Sequence, residues 1–142
     1  MSDQPRRAEA LLLTCFDYRL PELITRHMAE RGLGGRFDHV ALAGGALGVT
    51  ADRFPAWDVA FRQHIELAIQ LHGIRRLIVM DHRDCAAYRQ ILGEDAVADP
   101  EKELAIHALT LGVLRDRIKL RFPQLEVELL LIALDGSVEQ IP

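Results

Sequence analysis

The chain has 142 residues, a formal net charge of −4 and 49% apolar residues. That describes one ordinary domain spanning 1–142 with enough apolar side chains for a real core, and its mild acidity gives no case for a nucleic-acid or anionic-membrane partner. No apolar run reaches the about 18–20 residues that span a bilayer, and the polar start over residues 1–9 lacks an apolar signal core, so a cytoplasmic protein is expected.

After that loose start, residues 10–15 form a short, continuous apolar run, the pattern of a parallel strand covered on both faces. Pro21 suits the first turn of a helix over 21–31, with Leu23, Ile24 and Met28 on one face, and Gly32, Gly34 and Gly35 stop it. Residues 37–42 read as a second strand running into Ala43-Gly44-Gly45-Ala46-Leu47-Gly48. That turn lacks a following Lys-Ser/Thr and the spacing of a dinucleotide fingerprint. Close backbone approach to a metal pocket or a neighbouring subunit explains its glycines better. Residues 54–58 read as a turn around Pro55, and 59–72 as a helix carrying Phe61, Ile65, Ala68 and Ile69, ended by Gly73. Residues 76–80 give a third strand with His82 just beyond it, 86–92 a helix, and 93–100 an acidic loop. A long helix follows over 101–120, with Leu104, Ile106, His107, Leu111, Leu114 and Ile118 along one side. After Pro123 come a fourth strand (125–134), an Asp135-Gly136 turn and a short returning strand (137–141).

Alternating strands and helices imply an α/β fold: a mainly parallel four-stranded sheet, helices on both faces and a short antiparallel edge strand. Sites in such sheets lie beyond the C-terminal strand ends, where both cysteines of the chain fall. Cys15 ends the first strand, and Cys85 closes His82-Arg83-Asp84-Cys85 after the third. Two cysteines do not make a disulfide framework; in a cytosolic chain they read as ligands or reactive thiols. Cys15, His82 and Cys85 supply three zinc ligands, the number that leaves a fourth position for water. Cys85, before a helix N-terminus, is placed to be a thiolate. Asp17, two residues from Cys15, shares its face if the chain stays extended, and Arg19 can clamp it with a bidentate pair. Asp17 then either orients the water or closes the site as fourth ligand. Taken singly, a strand-end cysteine is ordinary core filling and Asp17 with Arg19 an ordinary surface pair; their convergence at one sheet edge is what points to a site. His27, His39, His64, His72 and His107 are expected as surface or core residues, and Trp57 and Tyr88 carry no functional reading of their own.

These motifs resemble those of the β-class carbonic anhydrases. Cys15-Phe16-Asp17-Tyr18-Arg19 matches that family's Cys-x-Asp-x-Arg, and His82-Arg83-Asp84-Cys85 its His-x-x-Cys. Weaker similarity covers Ala43-Gly44, the stretch His64-Ile65-Glu66-Leu67-Ala68, and Leu134-Asp135-Gly136-Ser137-Val138. The resemblance implies one zinc ion per chain, a homodimer or higher homo-oligomer, and reversible hydration of carbon dioxide to bicarbonate by a zinc-bound hydroxide. In that scheme Asp17 accepts a hydrogen bond from the hydroxide and Arg19 fixes Asp17. The chain departs from the family pattern at Ala41-Leu42 (usually Arg-Asn), Asp81 (usually Gly) and Ala86-Ala87 (usually Gly-Gly), and the family's N-terminal helical arm is not expected over its polar start. Two other functions fit the same motifs: hydrolysis of carbonyl sulfide or carbon disulfide, and non-catalytic zinc binding.

Overall fold

The computed structural model describes residues 7–142. Of the loose start expected over 1–9, residues 1–6 lie outside the described residues. Ala8 and Glu9 are already tied down, their amides donating to the carbonyls of His72 and Arg36. In chain order the elements are β1 (Ala10–Thr14), α1 (Pro21–Glu30), β2 (Phe37–Ala41), α2 (Ala46–Thr50), α3 (Pro55–His72), β3 (Arg76–His82), α4 (Ala86–Leu92), a 3-10 turn (Glu94–Val97), α5 (Pro100–Arg121), β4 (Glu126–Ile132) and β5 (Val138–Ile141). They build a five-stranded sheet in the order β2-β1-β3-β4-β5. The first four strands are parallel, and β5 returns antiparallel on β4.

The central strands are covered on both faces, so alternate residues of one strand feed two cores. Leu11, Leu13, Leu77, Val79, Leu129 and Leu131 meet α3 and α5 through Phe61, Ile65, Leu111, Leu114 and Ile118. Leu12, Ile78, Met80 and Leu130 meet α1 and α4 through Ile24, Met28 and Tyr88. Phe61 is fully buried in the first core. Phe61→Ala should cost about 3–5 kcal/mol, read as a fall in the urea midpoint at unchanged slope.

Local boundaries differ from the sequence expectations for identifiable reasons. The turn expected over 54–58 is the start of α3, because Pro55 occupies its first turn, where a missing N–H costs nothing. The glycine-rich turn contains the unexpected short helix α2. Part of the acidic loop winds into a 3-10 turn, and α5 begins at Pro100 behind Asp99, whose side chain caps the Lys102 amide at 2.9 Å. On α5 the buried side runs through Glu103, His107, Leu111, Leu114 and Ile118, whereas Ile106 packs against the second core. β3 continues two residues past Met80, pairing Asp81 with Leu131 and His82 with Ile132. No helix among the described residues is long and apolar enough to cross a membrane.

From β1 the chain crosses to β2 on one side, and β3 lies on the other. The strand order therefore reverses between β1 and β3, and the crevice beyond their C-terminal ends is where this class of sheet carries ligands.

Candidate metal centre

Thr14, the last residue of β1, pairs with Met80 of β3, so Cys15 and His82 emerge side by side at that crevice. The chain then turns through Arg83 and Asp84 and sets Cys85 at the N-cap of α4. Asp84 makes the turn in a left-handed conformation, φ 57°. Cys15, His82 and Cys85 are all buried, and their ligand atoms lie within 4.8 Å of one another.

Each donor is prepared by its surroundings. His82 Nδ1 lies 2.7 Å from the Arg83 carbonyl, which places the ring proton there and leaves Nε2 bare. Nε2 is buried with no hydrogen-bond partner among the described residues. The Cys15 sulfur accepts the Gly44 amide at 3.3 Å. A hydrogen bond from Cys85 drives the Cys15 thiol well below its usual range, against the opposing effect of burial. The same bond, with burial, pushes the Cys85 thiol up. Burial lowers the basicity of His82, but Cys15, the Arg83 carbonyl and Asp17 together outweigh it and its pKa is raised.

Two soft sulfurs and a bare imidazole nitrogen fit a zinc ion: their number suits a tetrahedral site with one open position, and such an ion would be held by both sulfurs as thiolates. The unpartnered His82 Nε2 is the observation that most demands such a group.

Asp17 sits at the rim. Its Oδ2 is 3.8 Å from His82 Nε2. Both carboxylate oxygens are held by Arg19: Oδ1 by Nε at 3.1 Å and by the Arg19 amide at 2.8 Å, Oδ2 by a terminal nitrogen at 2.7 Å. These bonds from Arg19 hold the Asp17 carboxyl down to about 2. The guanidinium also spans to the other motif, reaching the Asp84 carboxylate at 3.1 Å and the Asp84 carbonyl at 3.0 Å. Arg19 therefore ties the two motifs together as well as holding Asp17. Lysine cannot make both sets of contacts. Arg19→Lys should lose the bidentate hold on Asp17 and the tie to Asp84 together, read as a lower melting temperature.

Several side chains behind the site had no functional reading in the sequence. Glu103, at the start of α5, takes the Arg83 guanidinium at 2.8 Å and the Asp84 amide at 2.7 Å, bracing the loop between His82 and Cys85. Asp81 is buried against Tyr88 and His107. The available signals were an acid interrupting an apolar strand and a Glu103/His107 pair in register with the apolar side of α5. The glycine-rich turn does make its close approach to the metal pocket, as the Gly44 contact with Cys15 shows.

This sheet order, with its antiparallel edge strand, is the fold of the β-carbonic anhydrases. The chain is similar to a carbonic anhydrase from Streptococcus mutans, at 18% identity and TM-score 0.62, over 100% of this chain and 87% of that one. It is also similar to tetrameric β-carbonic anhydrases from Sordaria macrospora, at 18% identity and TM-score 0.63, over 96% and 81%. A family model described as "Putative carbonic anhydrase" matches residues 6–141, and the chain belongs to that family. Its relatives include an uncharacterized protein of Rickettsia conorii, 40% identical over 94% of this chain and 72% of that protein. Another, from Rickettsia bellii, is 37% identical over 94% and 82%.

Proposed function

We propose that the protein is a zinc carbonic anhydrase, converting carbon dioxide and water reversibly to bicarbonate and a proton. The observation that carries this reading is the buried, unpartnered Nε2 of His82 facing two cysteine sulfurs, with Asp17 held beside it by Arg19. Cys15, His82 and Cys85 are the metal ligands in this account. Zinc bound there supplies a water acidic enough to ionise near neutral pH.

The chain's own residues do the rest. Asp17 Oδ2 accepts a hydrogen bond from the reacting water and fixes its lone pair toward the substrate carbon. Arg19 occupies both oxygens of Asp17, which keeps the carboxylate from turning inward as a fourth ligand. The open site rather than the closed one is thus favoured. With its pKa at about 2, Asp17 stays an acceptor through the whole physiological range.

The two free cysteines suit a reducing compartment, and we assign the protein to the cytoplasm as a single domain. Phe16 and Tyr18, 69% and 88% exposed beside the site, favour a homodimer or larger assembly that covers them. Stopped-flow hydration of carbon dioxide by protein of verified zinc content, at mildly alkaline pH, tests the reading. Turnover well above buffer is expected. A buffer-level rate with zinc bound would reject it in favour of a non-catalytic zinc protein. Consumption of carbonyl sulfide or carbon disulfide without carbon dioxide hydration would reassign the substrate.

A further inference from the structure

Asp81 is a polar residue in an apolar strand, and it is fully engaged. It is 2% exposed. Its Oδ1 accepts the Ala46 amide at 3.0 Å. Its Oδ2 accepts the Tyr88 hydroxyl and lies 2.8 Å from His107 Nδ1. Tyr88 and His107 are themselves buried, their rings 3.9 Å apart. One carboxyl group thus joins β3, α4 and α5 to the first amide of α2.

The turn that Asp81 holds is the one that touches a ligand. Gly44 donates its amide to the Cys15 sulfur, and Ala46, two residues on, donates to Asp81. Between them Gly45, at φ 52°, passes so close that a Cβ there would lie 2.6 Å from Asp81 Oδ1 and 3.4 Å from the Cys15 amide nitrogen. A residue with a side chain would both strain the backbone and push the carboxyl group away. The glycines and Asp81 therefore form one fitted unit.

We propose that Asp81 is the positioning residue of the metal centre: it pins the 44–46 turn so that the Gly44 amide meets the sulfur of Cys15. The inference rests on the zinc reading for its consequence but not for its geometry. An amide hydrogen bond to a metal-bound thiolate orients the sulfur and moderates its charge, and loss of such supporting contacts typically costs 10–100-fold in metal affinity. Tyr88 and His107 hold the Asp81 carboxyl group from behind and make no contact with the turn through that bond.

The test compares Asp81→Ala with Tyr88→Phe in 15N-labelled protein. It follows hydrogen exchange at the Gly44 and Ala46 amides and zinc affinity against a competing chelator. Both substitutions remove buried hydrogen bonds and should lower the melting temperature. Only Asp81→Ala should lose protection at Gly44 and Ala46, and with it about 10–100-fold in zinc affinity. Retained Gly44 protection and zinc affinity within twofold in Asp81→Ala would overturn the proposal. So would an equal loss in Tyr88→Phe, which marks a general loosening of the core. If Asp81→Ala does not fold, Asp81→Asn and Gly45→Ala decide. The first keeps an acceptor for Ala46 but turns an amide donor on Tyr88 and His107, so it should lower the melting temperature while Gly44 protection is retained, and the second should lose Gly44 protection. The opposite pattern would overturn the assignment. Should the wild type bind no zinc, the zinc reading fails by itself, while exchange at Gly44 still decides the role of Asp81.

Discussion

Replacing Cys85 with serine should abolish zinc binding at stoichiometric metal and reduce carbon dioxide hydration to the buffer rate. Cys85 is 1% exposed and shares a hydrogen bond with Cys15, so its thiol proton is lost readily only to a metal. A serine hydroxyl is a harder donor with a far less accessible anion, and zinc sites of this kind are built from sulfur and imidazole. The loss should exceed the 10–100-fold that follows from disturbing residues behind the ligands. The fold should survive, because Cys85 is one small buried residue of a second core built mainly from Leu12, Ile24, Met28, Ile78, Met80 and Tyr88, and serine is close to its size. Metal analysis together with circular dichroism checks both halves. Full zinc occupancy in Cys85→Ser would remove Cys85 from the ligand set.

Asp17→Asn separates metal binding from turnover. The substitution keeps the side chain's shape but exchanges one acceptor oxygen for an amide donor, which also faces Arg19 with the wrong polarity. Zinc content should stay near one per chain, while kcat should fall about 10²–10³-fold, the range for removing one preorganised hydrogen-bonding group at the reacting centre. The pH dependence is specific. Arg19 depresses the folded pKa of Asp17 from 3.8 to about 2, so the stabilisation from this pair is complete above about pH 4 and is lost as pH falls toward 2. The wild-type rate profile should therefore show no acid limb from Asp17 between pH 5 and 9. Unchanged turnover in Asp17→Asn would show that the carboxylate takes no part.

Much of this arrangement is legible in the chain because its determinants are local. The run from Leu11 to Leu13 is apolar at every position because β1 is buried on both faces. His82 and Cys85 are three residues apart because one tight turn joins strand to helix. Their meeting with Cys15 follows from strand order, since β1 and β3 are neighbours at the switch point. What escapes the sequence depends on register between distant elements. Glu103 and His107 reach the site only because α5 packs against the end of β3, a placement set by Leu111, Leu114 and Ile118 in the first core. α2 is invisible to propensity, since glycine disfavours helix, and its first amide is held by Asp81 from 35 residues away. Asp81 lies just past the strand read over 76–80, and its three partners come from α2, α4 and α5.

The chain should hold zinc through Cys15, His82 and Cys85 with a coordination position left open beside Asp17. A crystal structure of the purified protein, with anomalous maps at the zinc edge, tests it most directly. The expected result is one zinc per chain on the two sulfurs and His82 Nε2, with a water as fourth ligand and Asp17 still paired to Arg19. Zinc bound elsewhere, or Asp17 released from Arg19 and occupying the fourth position, would contradict it.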